Sequence, residues 1–306
     1  MMLASKTNMF LGNGSQPVAQ YWGFYFEAEE PNCVVNMEKY VVKQTANMPN
    51  LGDIQVVSLE SSRDGVTWTS FDAANAYIGN GSVVGTTPIT LANVGDRVYF
   101  RCPYTSYTDK YNTYYYAYKE NFTLKAYQYH YFTLTKKAGA HGNIMSLLLD
   151  VESNLAFASG MSLFALFDSC VNLTSAPSLP ATTLSVSCYD NLFWGCTGLT
   201  AAPELPATTL AESCYRYMFG ECTGLTTAPA LHATTQVINC YQYMFYNCTR
   251  LNAISVDFTS WASGTGNWVS GVGNSGTFTC PAALGTQSTI SRGVSYCPAN
   301  WTVQNV

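Results

Sequence analysis

Charge is scarce in this chain of 306 residues, of which only 11% are Asp, Glu, Lys or Arg. The formal net charge is −5, and no clustered Lys and Arg mark a nucleic-acid surface, so no nucleic-acid partner is expected. Histidine is nearly absent: His130, His141 and His232 stand apart from one another, with no Cys or Ser partner identifiable from the sequence. The Cys-x-x-Cys and His-rich spacings of zinc sites are missing, so neither a metal nor a cofactor is expected. No stretch approaches the ~18 apolar residues of a membrane span. Met1 to Asn8 lacks the basic region and the apolar run of ~7 to 15 residues that mark a secretory signal. Membrane and export are both expected to be foreign to the chain.

Catalytic patterns are equally thin. Glu27, Glu29 and Glu30 form the one acidic cluster. Glycoside hydrolysis needs two carboxylates facing each other across a sugar, and three so close in sequence read as a solvated turn. Gly271 to Gly276 fits the dinucleotide pattern of glycines, but no helix-forming run follows and no acidic residue lies about twenty positions on. A glycine-rich turn is the simpler account. No catalytic residue is assigned, and an enzyme is not expected.

What the sequence does have is a repeat. Cys170, Cys196, Cys222 and Cys248 recur every 26 residues, and so do Cys188, Cys214 and Cys240. Phe167, Phe193, Phe219 and Phe245 keep step, as do Tyr189, Tyr215 and Tyr241, then Leu173, Leu199, Leu225 and Leu251. Such a period marks a stacked array, in which one unit buries its apolar side only against a neighbour. Each unit should contribute a short strand between its first Leu and its Leu-Pro, with the Cys-Tyr and Met-Phe pairs forming a convex return. In-register stacking sets equivalent residues ~4.8 Å apart, pointing the same way, whereas a disulfide needs Cβ atoms ~3.5 to 4.5 Å apart and turned towards each other. Ladders of free thiols are the better reading of the repeated cysteines. The odd total of eleven also fits thiols kept reduced. Cys280 and Cys297 fall outside the ladders, and their pairing stays open.

In chain order, residues 1–16 read as a polar arm, broken by Gly12-Asn13-Gly14-Ser15. Residues 17–132 carry strand patterns: Tyr21 to Phe26, Ile54 to Leu59, Val66 to Phe71, Ile89 to Leu91 and Arg97 to Phe100. Asp64-Gly65 marks a hairpin turn. Short strands with frequent turns suggest a β-sandwich. Residues 133–156 serve as linker and N-cap, 157–260 as about four coils, and 261–306 as a C-terminal cap with Trp261, Trp268 and Trp301. The fold class is therefore mainly β, an N-terminal sandwich followed by a short solenoid.

The stretch from 104 to 131 is unusually rich in tyrosine. Tyr104, Tyr107, Tyr111, Tyr114, Tyr116 and Tyr118 are candidate binding residues, because tyrosine offers a flat apolar face and a hydroxyl at low entropy cost. Alternate tyrosines of two strands facing the sandwich core or the first coil would also account for the pattern, and both readings stand.

The unit Phe-x-x-Cys-Thr-Gly-Leu-Thr-x-Ala-Pro-x-Leu-Pro-Ala-Thr-Thr-Leu resembles the BspA-like, Treponema-type leucine-rich repeats of gut Bacteroidales and their bacteriophages. Gly142 to Leu147 resembles the segment leading into such arrays, Trp301-Thr302-Val303 resembles the end of their cap, and Ser62 to Trp68 with Ile89 to Arg101 resembles the β domain that precedes them. The resemblance covers about half the chain; the array holds about four coils and drifts at Arg250 to Val256. It implies a non-enzymatic virion protein of head or tail, assembled in the host cytoplasm. The arm and sandwich would meet other virion proteins, and the array or tyrosine-rich loops would meet host-surface or mucosal glycans or proteins. Alternatives are a bacterial cell-surface adhesin and, further off, a polysaccharide depolymerase. A homo-oligomer is compatible with all of these.

Overall fold

A computed structural model describes residues 21–43, 59–71, 81–83, 88–104, 115–120, 123–149, 151–152 and 155–306. It is mainly β, and among the described residues helix is confined to two short 3-10 turns, at Ile144–Leu147 and Ala282–Leu284.

The strands are β1 (Tyr25–Ala28), β2 (Cys33–Lys43), β3 (Leu59–Ser62), β4 (Thr69–Phe71), β5 (Gly81–Val83), β6 (Ile89–Leu91), β7 (Arg97–Arg101), β8 (Tyr115–Glu120), β9 (Thr123–Leu134) and β10 (Ala138–His141). One antiparallel sheet runs β10-β1-β7-β3-β4; the other runs β5-β2-β9-β8, with β6 also on β2. Alternation sets the buried face. Phe26, Val98 and Phe100 point inward from the first sheet, and Cys33, Val35, Met37 and Phe132 from the second. The two inner faces meet where Phe132 lies 5.1 Å from both Phe26 and Phe100. The turn at Asp64-Gly65 joins β3 to β4, with Gly65 at φ 71°. Ile89 to Leu91 and Arg97 to Arg101 are strands, yet they pair with different sheets, so the exposed turn between them carries the chain from one sheet to the other.

β10 is shared between regions. One edge pairs with β1, while Ala138 and Asn143 form parallel bridges to Leu173 and Ser178 of the first repeat unit. Asn143 caps the following 3-10 turn by accepting from the Met145 N–H at 2.9 Å. Ser146 in that turn is fully buried. Its hydroxyl accepts from the Phe24 N–H and its carbonyl from the Cys102 N–H, so the lead-in segment is sewn to the strands before it.

The repeat units stack by a backbone rule. In the second unit Ser187, Tyr189, Asn191, Phe193 and Gly195 donate to carbonyls 25 residues further on, while Leu192, Trp194 and Cys196 donate three residues back. Ser187, Asn191 and Gly195, then Ser213, Tyr217 and Glu221, then Asn239, Tyr243 and Asn247 all have φ between 54° and 70°. Every fourth residue is thus left-handed, at roughly 1–2 kcal/mol for a residue other than glycine. The inter-unit hydrogen bond from the same residue, about 1 kcal/mol net, offsets much of that strain. Close approach also fixes Gly224, where a Cβ would lie 2.5 Å from the Thr197 carbonyl oxygen.

The strands expected between each leading Leu and its Leu-Pro are not regular in the first three units: the first and third carry only isolated bridges there and the second carries none. Pro177, Pro180, Pro203, Pro206 and Pro229 supply no N–H for a ladder. In the drifted unit these prolines are gone, and β11 (Ala253–Ser255) forms. It pairs in parallel with β12 (Thr277–Cys280), which pairs with β13 (Thr302–Asn305). The C-terminal segment ends the stack. Trp268 takes the slot beneath Phe245, its ring 6.1 Å away, and the Trp301 indole donates to the Gly273 carbonyl. The Arg292 guanidinium gathers the carbonyls of Gln287, Pro298, Ala299 and Trp301. The Gln287 side chain accepts the Val303 N–H on the outermost strand, which blunts an open edge.

Candidate functional site

The repeated residues build the interior. Rings of Phe167, Phe193, Phe219 and Phe245 follow one another at 5.3, 5.6 and 5.9 Å, tilted by no more than 11°. Tyr189, Tyr215 and Tyr241 form a second buried column. All eleven cysteines are free and buried. The Cys196, Cys222 and Cys248 thiols donate to the Phe167, Phe193 and Phe219 carbonyls at 3.1, 3.0 and 2.9 Å. Burial pushes the Cys170 thiol up to about 12 and the Cys240 thiol up to about 11. Cys188, Cys196, Cys214, Cys222 and Cys248 are raised for the same reason. A thiol that stays protonated is a poor nucleophile and a poor metal ligand, so these residues work as packing and hydrogen-bonding groups. Cys280 and Cys297 are also free, each with its own weak backbone contact.

Of the tyrosine candidates, Tyr104 is half-buried at the end of the first sheet. Tyr107, Tyr111 and Tyr114 lie outside the described residues. Tyr116 and Tyr118 fall on β8, opposite Gln128 and Ala126 of β9. Further along, two tyrosines are structural. The Tyr129 hydroxyl donates to Asp168 of the first unit at 3.0 Å, and burial beside that carboxylate raises both groups. Tyr131 donates to Glu38 at 2.7 Å.

The acidic cluster disperses: Glu27 pairs with Arg97 at 2.6 Å, and Glu29 accepts from the Thr174 hydroxyl. His130 is buried, His141 stacks on Tyr25 with its pKa lowered by burial, and His232 pairs with Asp257 at 3.0 Å. Among the described residues no group of three or more His, Cys, Asp or Glu could hold a metal ion, and no helix is long and apolar enough to cross a membrane. A cleft of about 570 Å³ lies beside the β3–β4 turn, lined by Ser61, Arg63, Asp64, Phe71 and Thr90 among others. Its charges serve the turn. Asp64 accepts the Val66 and Thr67 N–H groups and the Ser62 hydroxyl, which hold its carboxyl well below the usual range, and Arg63 donates to the Thr90 carbonyl.

A surface assembly escaped the sequence reading. Trp194, Tyr217, Tyr243 and Tyr246 are half-exposed on three successive units. The Tyr217 and Tyr243 rings stack at 4.6 Å and 3°; Trp194 meets Tyr217 edge-on at 5.3 Å and lies within 11° of parallel to Tyr246 at 6.1 Å. Gly220 makes this possible, because a Cβ there would sit 2.1 Å from Trp194 Cζ3. Alongside, the Arg216 guanidinium grips the Asp190 carboxylate with Nε at 2.9 Å and Nη2 at 2.6 Å. The Asp190 side chain is only 1% exposed, and burial raises its carboxyl to about 6 against the pull of Arg216. The signal was available: Tyr217 and Tyr243 share a repeat position, as do Trp194, Gly220 and Tyr246. No family model, no curated protein and no solved structure matches this chain.

Proposed function

We propose that this chain is a non-enzymatic structural protein of a bacteriophage virion that acts by binding. Residues 17–132 form a β-sandwich, 133–156 the lead-in, 157–260 a short leucine-rich solenoid and 261–306 its cap. The sandwich and the preceding arm attach to other virion proteins of capsid or tail, and the solenoid is displayed towards glycans or proteins of the host surface.

One observation supports this reading most. The residues that could carry chemistry in the repeats, the cysteines and buried tyrosines, recur in register and are buried, so the array reads as a scaffold whose variable, outward positions are left for contact. The motif resemblance to BspA-like repeats supplies the virion setting. Immunogold electron microscopy on purified particles of a phage encoding this chain is the test. Gold on head or tail is expected. Unlabelled particles, with label on the host envelope, would replace the virion reading with the adhesin.

A further inference from the structure

We propose that Trp194, Tyr217, Tyr243 and Tyr246 form a platform for an uncharged, pyranose-containing glycan. The inference rests on the reading of the chain as a binding protein and names the surface and the ligand class.

The position of Trp194 is not explained by the core. The phenylalanine column beneath it runs unbroken from Phe193 to Phe219 and Phe245, so the indole adds surface and closes no gap. It leans over Gly220 and reaches a ring two units away. The result is a group of half-exposed rings held by one another, with little rotamer freedom left to lose on binding. The Asn267 side chain holds the Tyr243 hydroxyl at 3.0 Å, which further fixes the ring.

The chemistry around the rings selects the ligand. Arg216 is paired with Asp190, while the Glu221 carboxylate accepts from the neutral Asn247 amide and keeps its charge, so the patch disfavours an anionic ligand. Asn191, Gln242 and Asn267 are half-exposed polar side chains of neighbouring units. A pyranose presents a face of C–H bonds to stack on aromatic rings and a rim of hydroxyls for amides and tyrosine hydroxyls. Protein hot spots also use Trp, Tyr and Arg, there seated in desolvated pockets, so a protein partner is the rival that the test must separate. The most exposed aliphatic side chains of the units, Val171, Val186 and Ile238, are not members of this group.

The test uses the full chain on an array printed with neutral oligosaccharides from mannan, xylan and dextran, sialylated and sulfated glycans, and a glycan-free host outer-membrane protein extract. Wild type should bind at least one neutral class. Trp194→Ala and Gly220→Ala should each weaken that binding by at least about tenfold, the loss of one well-packed aromatic contact. Tyr217→Phe, which keeps the stacked ring, should retain most of it. Thermal melts accompany each variant, and Trp194→Ala, a surface truncation, should melt close to wild type. Binding to no neutral glycan, binding confined to acidic glycans or to the protein extract, or neutral binding unchanged in Trp194→Ala would each overturn the platform. Gold-labelled particles without glycan binding would sink the platform and leave the virion reading. Glycan binding with unlabelled particles would do the reverse.

Discussion

The paired sheets and the stacked units bury similar aromatic side chains by different rules. Between the sheets, alternation along each strand sends Phe26, Val35, Met37, Phe100 and Phe132 inward, and residues of different shape share one core. In the stack, each ring lies over an identical ring one unit away, and the backbone accepts a left-handed residue every fourth position to keep that register. A sheet core therefore tolerates exchange of one apolar residue for another. A stack asks each position to agree with its counterpart in the next unit.

The largest test of this contrast is a matched pair of truncations. Phe219→Ala removes a ring packed on both sides by Phe193 and Phe245 and should cost about 3–5 kcal/mol in urea unfolding. Phe71→Ala, on strand β4 at the end of its sheet, should cost clearly less. Equal losses would break the comparison.

Next comes a charge specific to the stack. The Asp190 carboxyl is raised from the ordinary 3.8 to about 6 in the fold. Its contribution is therefore fully present below pH ~4 and is lost as pH rises towards 6. Asp190→Asn should flatten that part of the stability profile in thermal melts between pH 4 and 8. Arg216→Met should cost about 3–5 kcal/mol at pH 8, where an unpaired carboxylate is left buried, and less at pH 5, where Asp190 is protonated. A cost independent of pH would mean that Arg216 acts by packing alone.

The smallest effect concerns strain. Ser169 is exposed at φ 56°, and Gly195 holds the corresponding position one unit on. Ser169→Gly should stabilise by about 0.5 kcal/mol, the relief of the left-handed cost less the added entropy of the unfolded chain. A loss measured by urea unfolding would show that the register does not rest on these residues.

Legibility in the sequence follows the same divide. The period of 26 residues named the buried columns directly, because identical neighbours leave identical letters. The β class and the strands at Ile89–Leu91 and Arg97–Arg101 were legible from β-branched and aromatic runs beside a Gly-Asp turn. The first strand, Tyr25–Ala28, covers only the end of the aromatic run at Tyr21 to Phe26: Tyr21 packs against Trp68 and Tyr99, and Phe24 turns into the core before the strand begins. β2 is harder to read: Cys33, Val35 and Met37 alternate inward with Asn36 and Glu38 on the other face, but in the sequence the apolar Val34 and Val42 fall outside that alternation and Lys39 interrupts it before Val41. The surface rings at Trp194 and Tyr246 stayed hidden because their contact skips a unit, and a glycine between them carries no side chain to announce it.

The interchangeability of adjoining units reaches into genetics. Each unit offers the next the same donors, the same carbonyls and the same ring faces, so a duplication or deletion of one 26-residue segment of the gene leaves both ends of the stack with familiar neighbours. Unequal recombination between related tracts can then lengthen or shorten the stack by about 5 Å per unit. The length of the stack becomes a trait that varies separately from the sequence of any one unit.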